Sequence, residues 1–154
     1  MGNVKTYYIY QLVDPRDGKP FYVGCTTNPH RRLIQHSKNP SGGSASKIEK
    51  ILNSGSKPEL EILDRITTET RALAENLEEA WIEKITWQHF ESSGQLYKLF
   101  NKNRPHSEIH FPAWIGFEEK HETIFEYLSL DDKGRQQILD KYFVMNRGTS
   151  WGTR

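Results

Sequence analysis

A chain of 154 residues with 35% hydrophobic content can bury one real core and is too short for a multidomain machine. Its single cysteine, Cys25, excludes an internal disulfide framework and a cysteine-based zinc site, and no stretch approaches the roughly 18 apolar residues of a membrane span, so a cytoplasmic protein is expected. The net charge of +1 hides a segregation: residues 1 to 57 hold nine Lys/Arg against three Asp/Glu, and residues 58 to 97 hold three against nine.

In chain order, Thr6 to Val13 is rich in aromatic and β-branched residues, and its alternation puts Tyr8, Tyr10 and Leu12 on one face of a strand. The turn residues Asp14-Pro15-Arg16-Asp17-Gly18-Lys19-Pro20 then lead into a second strand, Phe21-Tyr22-Val23-Gly24. The two strands pair as a hairpin, which brings Tyr10 and Tyr22 close together. Asn28-Pro29 is a helix start, with a capping side chain followed by proline at the first helical position, and the helix runs to about His36. Arg31 and Arg32 sit side by side on it, and Arg32 shares a face with His36.

A stretch rich in Ser and Gly, from Asn39 to Ser44, separates this helix from a second one over Ser46 to Leu52. A third strand is expected over Leu60 to Ile66. Thr67 or Thr68 then caps a long helix reaching about His89. Beyond Pro105 two more helices are expected, near Phe117 to Leu128 and Asp131 to Phe143. The organisation is therefore a domain over residues 1 to 104 and a mostly helical extension over 105 to 154, which either packs or selects a target. His106, His110 and His121 lack ligand spacing and cysteine partners, so the extension offers no zinc site.

Two groups of residues could carry chemistry. On the long helix, Leu73, Ala74, Leu77, Ala80, Trp81, Ile82 and Ile85 form an apolar arc at 100° per residue, opposite Glu75, Glu79 and Glu83. Glu78 falls inside the arc, where a carboxylate needs a metal, a hydrogen-bond donor or a cation such as Arg32, unless it reaches water at the arc's edge. The second group is Tyr10, Tyr22, Arg32 and His36. Hydrolysis of a phosphodiester needs an activated water, positive charge on the developing phosphate and help for the departing oxygen. A guanidinium can hold a phosphate through two hydrogen bonds, and histidine ordinarily titrates near neutrality. A tyrosine could take a proton if nearby cations lowered its pKa. Arg31, Lys38, Lys47 and Lys50, in the basic first third, are candidates for contacts to a nucleic-acid backbone, with an ordinary solvated face as the alternative.

These residues, in this order, resemble the GIY-YIG nuclease superfamily over about residues 6 to 103. Tyr8-Ile9-Tyr10 stands where that family has Gly-Ile-Tyr, and Tyr22-Val23-Gly24 where it has Tyr-Ile-Gly. Arg32 and His36 match the arginine and histidine of the following helix, Glu78 in Glu78-Glu79-Ala80-Trp81-Ile82 the metal-binding glutamate, and Asn101 the late asparagine. The resemblance implies an α+β domain with a three-stranded antiparallel sheet flanked by helices, and DNA cleavage dependent on one Mg²⁺ or Mn²⁺ ion. It gives Glu78 the metal, Arg32 the phosphate, Tyr10 the water with Tyr22 assisting, and Gly24 and Asn101 structural parts; Tyr22 or His36 as the base stays open. Tyr8 departs from the family's first glycine. The rival reading is a catalytically inactive module of the same fold that binds DNA or protein, and a homodimer is open in either case.

Overall fold

The structure is a computed structural model that describes residues 3–40, 42–93 and 117–147. Strand β1 (Lys5–Asp14) and strand β2 (Lys19–Thr26) form the expected hairpin, each longer than the apolar run that announces it. Gly18 takes a φ of 73° in the connecting turn, a region that costs glycine little and other residues more. Helices α1 (Pro29–Lys38) and α2 (Ala45–Asn53) follow, then β3 (Glu59–Thr68) and the long α3 (Arg71–Ser93). Helices α4 (Phe117–Ser129) and α5 (Asp132–Arg147) lie close to their expected positions.

The fold is α+β, with a three-stranded antiparallel sheet in the order β2-β1-β3. Placing β1 in the centre explains a departure from simple alternation. Ile9 and Tyr10 are consecutive, yet both are fully buried, because helices cover both faces of the sheet. The ladder to β3 also shifts register between these two residues.

On one side, Tyr7, Ile9, Val23 and Ile66 of the sheet pack with Ala74, Leu77, Ala80 and Ile82 of α3, and with Ile124, Tyr127, Leu128, Ile138 and Leu139 of α4 and α5. The other core is smaller: Tyr10, Leu12 and Phe21 of the hairpin close on Ile48 and Ile51 of α2. The apolar arc read on α3 is thus the buried one, with Leu73, Trp81 and Ile85 at its margin.

The expected cap of α3 is corrected. Thr67 and Thr68 belong to β3, where the Thr67 hydroxyl lies 2.9 Å from that of Thr6, and the helix begins only at Arg71. Pairing with β1 outcompetes the local capping preference of these threonines. No helix among the described residues is long and apolar enough to cross a membrane.

Candidate active site

The site is built where the hairpin meets α1. Asn28 accepts a hydrogen bond from Arg31 N at 3.1 Å, and Pro29 starts the first turn, so the helix begins at a fixed residue. That start sets the rotation of α1. Arg32 and His36, one turn apart, both reach Tyr10: its hydroxyl lies 2.9 Å from His36 Nε2 and accepts from Arg32 Nε at 3.4 Å. Arg32 also donates to Gln35 Oε1 at 3.3 Å. Of the two neighbouring arginines, Arg32 therefore has the contact with Tyr10.

Tyr22 completes the cluster, its ring centroid 6.2 Å from that of Tyr10 and 5.3 Å from that of His36. In the β1–β2 ladder Tyr10 is opposite Gly24, and its ring lies across that residue. A Cβ on Gly24 would overlap Cζ and Oη of Tyr10 and come within 2.8 Å of Cε1. The glycine is thus required by the tyrosine on the neighbouring strand.

The electrostatics differ from those expected of exposed side chains. Burial, followed by the neighbouring Tyr22, holds Tyr10 well above the ordinary phenol value, and the hydrogen bond and charge of Arg32 only partly offset this. Tyr22 is raised as well, first by burial and then by the charge of Glu78. The expectation that His36 titrates near neutrality is corrected: burial and then the charge of Arg32 push it down to about 4, so the ring is neutral at pH 7.

Glu78 lies on α3 with only 9% of its surface exposed. Its charge acts on Tyr22, Tyr10 and also Cys25, which burial, then Glu78, pushes up to about 12. The carboxylate thus acts electrostatically on the tyrosine cluster although α3 follows the hairpin by more than forty residues in the chain. Among the described residues no group of three or more His, Cys, Asp or Glu side chains could hold a metal. What the chain offers is one carboxylate, a hard oxygen donor of the kind Mg²⁺ and Mn²⁺ prefer, and Mg²⁺ is commonly bound by one or two carboxylates plus water and substrate oxygens. The donor set fits such an ion.

An open groove of about 330 Å³ adjoins this cluster, lined by Cys25, Thr26, Thr27, Asn28, Arg31, Arg32, Gln35 and Arg71. Arg31 is in it; Lys38 and Lys50 are exposed on α1 and α2. Lys47 is held at 2.9 Å by the buried carboxylate of Asp14, which also binds Arg16 at 2.8 Å, and lies over the ring of Phe21. Its charge is committed to the hairpin turn. Asn101 falls outside the described residues. Arg71 was not a candidate in the sequence: it is visible as a charged residue opening α3, but nothing in the pattern says that this helix starts beside α1.

A small α+β domain with paired tyrosines, an arginine and a histidine under a basic groove has the makings of a phosphodiester-processing fold. The family described as GIY-YIG catalytic domain matches residues 6–89, and the chain belongs to that family of nucleases. No curated protein and no solved structure matches the chain.

Proposed function

We propose that this protein is an endonuclease that hydrolyses phosphodiester bonds in DNA, using one Mg²⁺ or Mn²⁺ ion held by Glu78. The observation that carries the reading is the Tyr10 hydroxyl, met by neutral His36 on one side and on the other by Arg32, which also lines the neighbouring groove. A buried structural tyrosine is satisfied by one hydrogen-bond partner, whereas this hydroxyl has two, both on ionisable side chains of one helix face.

When bound, the ion supplies positive charge at the phosphate and makes its water more acidic. Arg32 holds non-bridging oxygens of the scissile phosphate, its planar fork matching them better than a lysine would. Tyr10, kept protonated by burial, cannot act as a free phenolate. It takes a proton from the attacking water while its own proton passes to His36 Nε2, 2.9 Å away. This assigns His36 the tautomer with hydrogen on Nδ1. His36 is a weak base in the free protein, but one of the two causes is the charge of Arg32. A phosphate on Arg32 neutralises that charge, so His36 gains basicity when substrate is present. Tyr22, packed against the ring of His36, holds it in place.

The test is cleavage of duplex, branched and single-stranded DNA by purified protein with Mg²⁺ or Mn²⁺. Wild type cuts or nicks, whereas Glu78→Ala loses about 10³-fold or more in rate, as expected when a metal's several kcal/mol of charge stabilisation is removed. Its affinity for DNA, measured with Ca²⁺, stays within a few-fold. Cleavage by Glu78→Ala at the wild-type rate would refute the metal assignment, and DNA binding without cleavage under either ion would favour a binding module.

A further inference from the structure

The groove beside the tyrosine cluster contains more cationic groups than one phosphate uses. Three guanidinium-bearing residues line it, Arg31 and Arg32 from α1 and Arg71 from α3, together with Thr26, Thr27 and Asn28, and none of these lining residues is acidic. Arg32 is drawn toward Tyr10. Arg31 and Arg71 remain, from the first turns of two different helices that the fold brings together.

Arg71 is the better prepared of the two. Its guanidinium carbon stands 6.0 Å from the ring of Tyr7, an aromatic face that can steady the planar group while leaving its N–H edges free. Its ion pair is with Glu75, one turn on, at 3.6 Å, with the arginine side chain 59% exposed. An exposed pair of this kind contributes little and yields readily to a stronger anion. A backbone phosphate of DNA is such an anion, and the groove runs from Arg71 to Arg32, where the cleaved phosphate is held in the mechanism above.

We infer that the groove seats the backbone phosphate next to the scissile one on the same DNA strand, with Arg71 as its positioning residue. The inference rests on the DNA-cleaving reading. Binding at this second phosphate fixes the strand's register against Arg32 and Tyr10 without taking part in bond cleavage.

The experiment measures DNA binding with Ca²⁺ in place of Mg²⁺ over a series of salt concentrations, and KM and kcat with Mg²⁺. Arg71→Ala weakens binding about 10-fold, the loss of one charge-assisted contact, and makes the slope of log K against log salt shallower by about 0.9 on duplex DNA. KM rises and kcat is unchanged. Arg71→Lys keeps the wild-type salt slope and recovers part of the affinity. Glu75→Gln, which releases Arg71 from its pair, acts in the opposite direction and tightens binding by about 2-fold. On an oligonucleotide with a neutral methylphosphonate at the phosphate beside the cut, the Arg71→Ala penalty disappears.

Wild-type affinity and salt slope in Arg71→Ala would overturn the inference while leaving the nuclease reading intact. So would a fall in kcat at constant KM, which would make Arg71 part of the reacting centre. A wild-type protein that binds no DNA would overturn both.

Discussion

Two arginines in this molecule occupy opposite kinds of surroundings. Arg135, on α5, is 7% exposed and held by short bonds: it donates to the carbonyls of Tyr127 and Leu128 at 3.0 and 2.9 Å, and to Asp64 of β3 at 2.8 Å. Asp64 is held in turn by the indole N–H of Trp81 on α3 at 3.1 Å. Arg32 is half-buried and makes longer bonds, 3.4 Å to Tyr10 and 3.3 Å to Gln35, to groups that are not carboxylates. An arginine bound to a carboxylate and to main-chain carbonyls of a neighbouring helix holds a fold together. An arginine with short-range capacity left over, facing a groove, is available to an incoming anion.

The comparison predicts that the two positions fail differently. Arg32→Ala lowers kcat by about 10² to 10³-fold, the scale of removing one stabiliser of transition-state charge, while the melting temperature changes little; a large stability loss with kcat retained would reverse its role. Arg135→Ala removes one partner of a largely buried pair and costs about 3 kcal/mol of stability. For a chain of this size that lowers the melting temperature by about 6 to 12 °C. Cleavage per folded molecule remains as in wild type, a point settled by active-site titration at a temperature below the transition.

The smallest effect concerns pH. His36 is held at about 4 in the folded chain, against an unfolded value near 6.5. Between these values the unfolded state binds the extra proton, so stability rises with pH across the window and is lost as pH falls from about 6.5 toward 4. Melting temperatures at pH 7 and pH 5 therefore differ more for wild type than for His36→Gln. Equal differences would mean that other groups carry the acid sensitivity.

Most of the framework was legible because local signals and tertiary demands agree. The aromatic alternation of Thr6 to Val13, the Asn28-Pro29 cap and the apolar arc around Leu77 each state one element, and each element forms. The gathering of Tyr10, Tyr22, Arg32 and His36 followed from a hairpin feeding a capped helix.

What was hidden depends on partners distant in sequence. Thr67 and Thr68 have the chemistry of a helix cap, but pairing with β1 claims them for a strand. Lys47 counts as a surface cation until Asp14, at the end of β1, takes it. Arg71 acquires its setting from Tyr7 of β1 and from the groove it lines with residues of α1, and the neutrality of His36 comes first from burial. Charge and spacing alone do not report burial.

The crossing of Tyr10 over Gly24 has a consequence for how this chain can change. Position 24 is closed to every side chain for as long as position 10 carries an aromatic ring, since even one methyl group would occupy the ring's space. The two positions therefore form a single heritable unit spread over two strands. Freedom at the glycine requires surrender of the phenol, so a descendant with a larger residue at 24 would have given up the hydroxyl on which the proposed proton transfer turns.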